Sequence, residues 1–166
     1  MPSTSLDILK EAILLERRGR AFYLQAAAQS KQPPVKEFFE TMADEEKRHM
    51  QVLADQYKTY TESHAFAPLA DRDEAGRPLA GAILSREVKQ KIAAADYEAA
   101  AISAAMLLEE RAVRLYSDHA ACAKDPDEKA LFEWLARWEQ EHLSFLTELD
   151  REIKAAIWND NRFWPF

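Results

Sequence analysis

The 166-residue sequence contains a single cysteine, Cys122, and only three glycines. A lone thiol cannot form a disulfide within the chain, and it cannot supply the cysteine set of a zinc ribbon or of an iron–sulfur cluster. Positive charge is also in short supply, because 29 acidic residues outnumber 22 basic ones and give a net charge of −7. Since a nucleic-acid groove needs a basic face, nucleic-acid binding is disfavoured.

Long apolar runs are absent as well. No stretch approaches the roughly 20 apolar residues that a membrane span needs. The N-terminal residues lack the basic start and uncharged apolar stretch of a secretory signal. We therefore expect a cytoplasmic protein that does not bind a membrane.

The residues that are abundant favour helix. Alanine occupies 29 positions and valine only four, and alanine favours helices whereas valine favours strands. Apolar residues make up 48% of the chain and charged residues 31%, which is typical of a globular protein. The composition predicts a single all-α domain over residues 1–166.

Helical periodicity between the prolines predicts four long helices, over about residues 5–30, 33–61, 96–122 and 125–157. The first and last connections are short and force antiparallel neighbours. They define hairpin 1, about 5–61, and hairpin 2, about 96–157. The connection over about 62–95 is expected to cross the length of a four-helix bundle and to hold a short helix from Ser85. Residues 158–166 form an aromatic C-terminal tail.

The two hairpins resemble each other in sequence. Residues 12–57 align with residues 105–150 without a gap, with 17 identities in 46 positions. A shared helical composition does not explain the identical polar positions, such as the matched histidines His49 and His142. We interpret the domain as two copies of one helical hairpin, packed about a pseudo-twofold axis.

Each predicted helix places a glutamate on its core-facing stripe. Glu46 and Glu139 are each followed by a histidine three residues on, which puts both side chains on one helix face. Glu46 and Glu139 each lie 30 residues after the core-facing glutamate of the preceding helix. The two hairpins therefore supply the same three ligands at the same spacing. The candidate metal ligands are Glu16, Glu46, His49, Glu109, Glu139 and His142.

These six side chains predict a dinuclear metal centre. Burying four bare carboxylates would cost several kcal/mol per ion even after relaxation. Four carboxylates and two neutral imidazoles carry −4, which two divalent cations balance. An oxygen-rich set with two imidazoles suits iron or manganese and tolerates zinc. Oxidising both metals by one unit releases two electrons, which suits a reaction with dioxygen or peroxide.

With this pattern the sequence resembles the ferritin-like superfamily, specifically its rubrerythrin-type domains. The resemblance covers about 5–60 and 96–157 and rests on LLERRGRAFY, LLEERAVRLY, MADEEKRHMQVL and ARWEQEHLSFL. It implies a ferritin-like four-helix bundle with one long crossover and two bound iron ions. It makes Glu16 and Glu109 terminal ligands and Glu46 and Glu139 bridging ligands. His49 and His142 would each bind one metal.

Two features depart from the family pattern. Rubrerythrins carry a further glutamate three residues after the ligand of the third helix, where this chain has Ala112. The repeat counterpart of Ala112 is Gly19, so neither hairpin supplies this glutamate. In rubrerythrins that glutamate supports a redox-linked exchange of ligands, which is therefore not expected here. Full-length rubrerythrins also carry a rubredoxin domain, whose iron site needs several cysteines, and this sequence has only Cys122. We therefore expect a separate protein to donate electrons.

Five residues near the ligands need their own predictions. Glu45, Glu110 and Glu141 neighbour the ligands but lie off the stripe, which predicts solvated positions. Tyr23 and Tyr116 lie two turns from the terminal glutamates. They are either hydrogen-bond donors to ligand carboxylates or tyrosines bonded elsewhere in the core.

The favoured function is a non-haem di-iron oxidoreductase that reduces peroxide or dioxygen, in a homo-oligomer. Three alternatives stay open. A ferroxidase centre feeding an iron store would use the same six ligands. A metal-dependent hydroxylase would need an open substrate pocket beside the metals. A non-enzymatic bundle would bind zinc, or would bind another protein through the tail at 158–166.

Overall fold

The computed structural model of the chain describes residues 4–69 and 96–158, which contain four long helices. The helices are α1 (Ser5–Gln29), α2 (Pro33–Ser63), α3 (Asp96–Cys122) and α4 (Pro126–Trp158). Their ends lie within two residues of the predicted ones, and the all-α class is confirmed. The short helix expected from Ser85 and the tail residues 159–166 lie outside the described residues.

Polar side chains cap the first turns of α1 and α4. The Thr4 hydroxyl accepts a hydrogen bond from the Asp7 N–H, and the Asp7 carboxylate accepts one from the Thr4 N–H. Asp125 Oδ1 accepts hydrogen bonds from the N–H groups of Asp127 and Glu128, at 2.8 and 3.3 Å. These caps satisfy backbone donors that have no partner within the helix and fix where each helix begins.

The chain that leaves α2 folds back onto the bundle. His64 adopts a left-handed conformation, with φ of 56°, and ends the helix. The Gln56 side chain then donates to the Ala67 carbonyl and accepts from the Ala67 N–H, and Phe66 is buried. The first residues of the long connection are therefore held against the end of α2.

The helices pack as two antiparallel hairpins, α1 with α2 and α3 with α4. Stacked rings mark the same level in each hairpin, Tyr23 with Phe39 and Tyr116 with Phe132. Contacts between the hairpins run from α1 to α3 and from α2 to α4, the latter including the packed rings of Phe38 and Phe145. This repetition of contacts agrees with the internal repeat in the sequence.

Two apolar clusters fill opposite ends of the bundle. The first contains Tyr23, Phe39, Ile102 and Leu146, and the second contains Leu9, Leu53, Tyr116 and Phe132. α3 begins at the first cluster, whereas α2 ends at the second. The connection between them therefore has to join opposite ends of the bundle, as a long crossover does. Within the described residues, no helix has both the length and the apolar character of a membrane span.

Candidate metal centre

A layer of buried polar side chains lies between the two apolar clusters. α1 and α3 each contribute one glutamate, and α2 and α4 each contribute a glutamate and a histidine one turn later. All six candidate ligands converge in this layer, and each is at most 3% exposed: Glu16, Glu46, His49, Glu109, Glu139 and His142. The helical step of three residues aims the glutamate and the histidine of each pair at the same point.

The ligand atoms of these residues form two overlapping groups, and the atoms of each group lie within 4.8 Å of one another. Glu46 and Glu139 belong to both groups. The first group is completed by Glu16 and His49, and the second by Glu109 and His142. Such a set could hold two neighbouring cations, with Glu46 and Glu139 available to both.

The inward-facing nitrogen of His142 fits a metal better than it fits the carboxylates around it. His142 Nδ1 is buried and makes no hydrogen bond within residues 4–69 and 96–158. It nevertheless lies 3.4, 3.8 and 3.9 Å from carboxylate oxygens of Glu139, Glu109 and Glu46. Imidazole nitrogens and carboxylate oxygens are the donors that iron, manganese and zinc take. The residues present therefore fit a dinuclear metal centre.

The other histidine faces the cluster in the same way. His49 Nδ1 lies 2.8 Å from Glu139 Oε1 and 3.1 Å from Glu16 Oε2. Both histidines thus present Nδ1 to the carboxylates. The two nitrogens of an imidazole point in divergent directions, so a cation at Nδ1 would leave the outward nitrogen, Nε2, for a second contact. His142 Nε2 makes such a contact with Glu45, whereas His49 Nε2 has no hydrogen-bond partner among the described residues.

Without a cation, protons compensate the charge of the cluster. Burial and the carboxylate of Glu16 raise the pKa of Glu46 well above its ordinary range. Burial opposes ionisation of Glu139 too, but the charge of His49 and polar contacts with Glu109, His142 and His49 together outweigh it and hold the pKa of Glu139 well below its ordinary range. Burial disfavours the imidazolium of His49, yet Glu139 and Glu16 raise its pKa to about 10. The metal-free core therefore retains protons that a metal would displace.

Two tyrosines connect the hairpins at the terminal glutamates. The Tyr23 hydroxyl of α1 donates to Glu109 of α3, and the Tyr116 hydroxyl of α3 donates to Glu16 of α1. Burial and the adjacent carboxylates raise the pKa of both phenols well above the ordinary value, so both remain donors. The sequence left open whether these tyrosines bond to the ligands or elsewhere in the core. The structure shows that both donate hydrogen bonds to candidate ligands.

One prediction about the neighbouring acids is wrong. Glu45 is only 1% exposed, and its Oε2 lies 2.8 Å from His142 Nε2. Glu45 directly precedes the stripe residue Glu46, and the side chain of His142 on α4 reaches Glu45 across the bundle. Glu110 and Glu141 are exposed, as expected. The internal repeat indicates that this position is buried, because the residue that matches Glu45 in hairpin 2 is the bulky, apolar Trp138.

A narrow cavity reaches the cluster between α1 and α3. Its volume is about 10 Å³, room for roughly one water-sized molecule. Gly19 and Ala112 line it together with ligand carboxylates. A Cβ atom at Gly19 would lie 3.3 Å from the carboxyl carbon of Glu46, so little space is left there for a larger side chain.

Comparisons with known proteins agree with this geometry. A family model described as Rubrerythrin matches residues 7–150. The structure of a hypothetical protein from Pyrococcus furiosus is similar, with a TM-score of 0.64 and 25% identity over 92% of this chain and 91% of that one. No protein of curated function matches the chain significantly.

Proposed function

The chain belongs to the rubrerythrin family, and we propose that its buried glutamates and histidines hold a di-iron centre that reduces peroxide or dioxygen. The observation that carries this proposal is the sharing of Glu46 and Glu139 between two groups of potential ligands. When bound, iron would supply two electrons to the oxidant through a one-unit oxidation of each ion.

The side chains around the cluster suit this chemistry. The apolar clusters on either side keep bulk water away from the ligands. Tyr23 and Tyr116 orient the carboxylates of Glu109 and Glu16 and hold their own protons beside the ligands. These two carboxylates are thereby positioned before a cation binds, which lowers the cost of ordering them.

The size of the cavity favours a small oxidant. Room for roughly one water-sized molecule beside Glu46 and Glu139 suits peroxide or dioxygen better than an organic substrate. We therefore favour reduction of these oxidants over hydroxylation. We further propose that a separate protein donates the electrons and that the chain forms a homo-oligomer.

Iron oxidation for storage is a second candidate on the same ligands. Ala112 lines the cavity at the position where rubrerythrins carry a further glutamate. A centre without that carboxylate has one ligand fewer to hold oxidised iron, which favours passing the iron on. Storage would require a closed cage of many chains, which sizing measurements would detect.

Aerobic iron loading of metal-free protein tests the proposal. Iron retained per chain is counted after desalting, for the unchanged protein and for Glu46→Ala plus Glu139→Ala. The matched control is Glu40→Ala plus Glu133→Ala, which removes two exposed glutamates that are also repeat counterparts. We expect about two iron ions per chain in the unchanged and control proteins and almost none in the first variant.

Other results of these experiments would favour iron storage or would contradict the proposed site or reaction. Soluble uptake far beyond two iron ions per chain would favour storage. Retention that survives Glu46→Ala plus Glu139→Ala would show that the site is misassigned. If about two ions bind, reaction of the reduced protein with peroxide and with dioxygen in separate single-turnover experiments identifies the oxidant. Failure of both oxidants to oxidise the bound iron would contradict the proposed reaction.

A further inference from the structure

The two histidines of the cluster are repeat counterparts, but their outward nitrogens have different surroundings. His142 Nε2 lies 2.8 Å from a carboxylate oxygen of Glu45, and both side chains are buried. His49 Nε2 is buried and has no hydrogen-bond partner in the described ranges. The pseudo-twofold symmetry that relates the six ligands therefore does not extend to the surroundings of the two Nε2 atoms.

Two tryptophan rings pack against the imidazole of His49, and one of them, Trp138, also packs edge-on against His142. Trp134 and Trp138 pack edge-on against the imidazole of His49, with ring centroids at 5.7 and 5.4 Å and interplanar angles of 80°. Trp138 occupies the position that matches Glu45 in the other hairpin. One repeat thus supplies a carboxylate where the other supplies an indole.

A carboxylate behind a ligating histidine changes its properties as a ligand. When the Nε2–H of His142 donates to Glu45, the proton is held on Nε2 and the lone pair of Nδ1 stays free for a cation. The hydrogen bond also makes Nδ1 a stronger electron-pair donor and fixes the ring orientation. Edge-on indole rings fix the orientation of His49 but offer its N–H no carboxylate.

We propose that the two metal positions are inequivalent and that the position with Glu109 and His142 binds a divalent cation first and more tightly. Glu45 acts as a positioning residue for His142 and has no counterpart at the position with Glu16 and His49. The inference rests on the proposed metal centre. It goes beyond that function by assigning an order of loading to the two positions.

Repulsion between two bound cations would also split binding into two steps, even at equal positions. Such repulsion favours neither position, so the identity of the first site decides the question. His49→Ala should remove the weaker step and keep the tighter one. His142→Ala should remove the tighter step.

Cobalt(II) titration of the metal-free full-length protein, followed by visible absorption in competition with a chelator, tests the inference. Glu45→Leu should weaken the tighter step by about 10- to 100-fold and leave the weaker step unchanged. Glu45→Gln keeps an oxygen acceptor of similar reach and should recover part of the loss. The matched control is Glu40→Leu, which removes an exposed carboxylate from the same helix. Circular dichroism checks that each variant is helical.

The outcomes separate this inference from the proposed function. No cobalt binding to the unchanged protein would overturn both. Two-step binding in which Glu45→Leu matches Glu40→Leu, or weakens both steps equally, would overturn the inequivalence alone. Loss of the tighter step in His49→Ala would reverse the assigned order and overturn the inference. If Glu45→Leu fails to fold, Glu45→Gln and the two histidine variants still decide the outcome.

Discussion

At the scale of single residues, the polar layer is held by hydrogen bonds that cross between the hairpins. Glu16 and Glu109 would be terminal ligands, and each accepts a hydrogen bond from a tyrosine of the other hairpin. The two phenols are buried, so water does not replace them as donors. Each tyrosine restricts the carboxylate to the orientation that faces the shared glutamates.

Removing one phenol hydroxyl should therefore weaken metal binding. Tyr116→Phe leaves Glu16 without this donor, and we expect metal affinity to fall by about tenfold or more. Chelator competition with cobalt(II) measures the loss. Tyr97→Phe is the control, because Tyr97 lies on the same helix but is 43% exposed. Equal affinities in the two variants would show that the hydrogen bond does not position Glu16.

At the scale of secondary-structure elements, capping and periodicity set where each helix begins and which face it buries. α1 begins at a reciprocal cap between Thr4 and Asp7. Every third or fourth residue of α4 from Phe132 to Ile153 is buried, including both of its ligands. These features are local, which is why the helix limits follow from the sequence.

The cap of α1 predicts a measurable change in stability. Thr4→Ala removes the side-chain acceptor of the first turn and should lower the free energy of unfolding by about 1 kcal/mol. Urea denaturation of the metal-free protein followed by circular dichroism measures it. Thr147→Ala is the control, since Thr147 is exposed within α4 and its hydroxyl bonds a carbonyl of its own helix. That change should be close to neutral, and equal losses would argue against a capping effect.

At the scale of the whole molecule, the fold places a layer of ionisable groups between two apolar clusters. In the metal-free protein, the paired charges of His49 and Glu139 and the raised pKa values of Glu46 and Glu109 keep protons in this layer. Bound cations require the ligands to release those protons. Stability and metal binding are therefore linked through pH.

Metal removal should make stability depend on pH in a defined direction. Folding raises the pKa of His49 from 6.5 to about 10, so the folded state keeps a proton that the unfolded chain releases in this window. The resulting stabilisation is complete below pH 6.5 and is lost as pH rises towards 10, by at most about 1.4 kcal/mol per pH unit. The raised pKa values of Glu46 and Glu109 act in the same direction from the carboxyl range upwards.

Thermal unfolding between pH 6 and pH 9.5, with and without bound cobalt(II), measures this linkage. The melting temperature of the metal-free protein should fall across this range. The loaded protein should change less, because its ligands are already deprotonated. The gain in melting temperature on loading should therefore grow with pH. A parallel decline in both forms would contradict a buried metal centre made of these residues.

The sequence alone determined the helices, the hairpin repeat and the six residues that converge in the core. These features depend on capping, on the 3.6-residue period and on spacing within one chain segment, all of which are local. Only the tertiary structure decided that Glu45 is buried against His142, that each phenol reaches the opposite hairpin and that the cavity is small. Those contacts depend on how the two hairpins are rotated and shifted against each other, and that is settled by packing across the whole bundle.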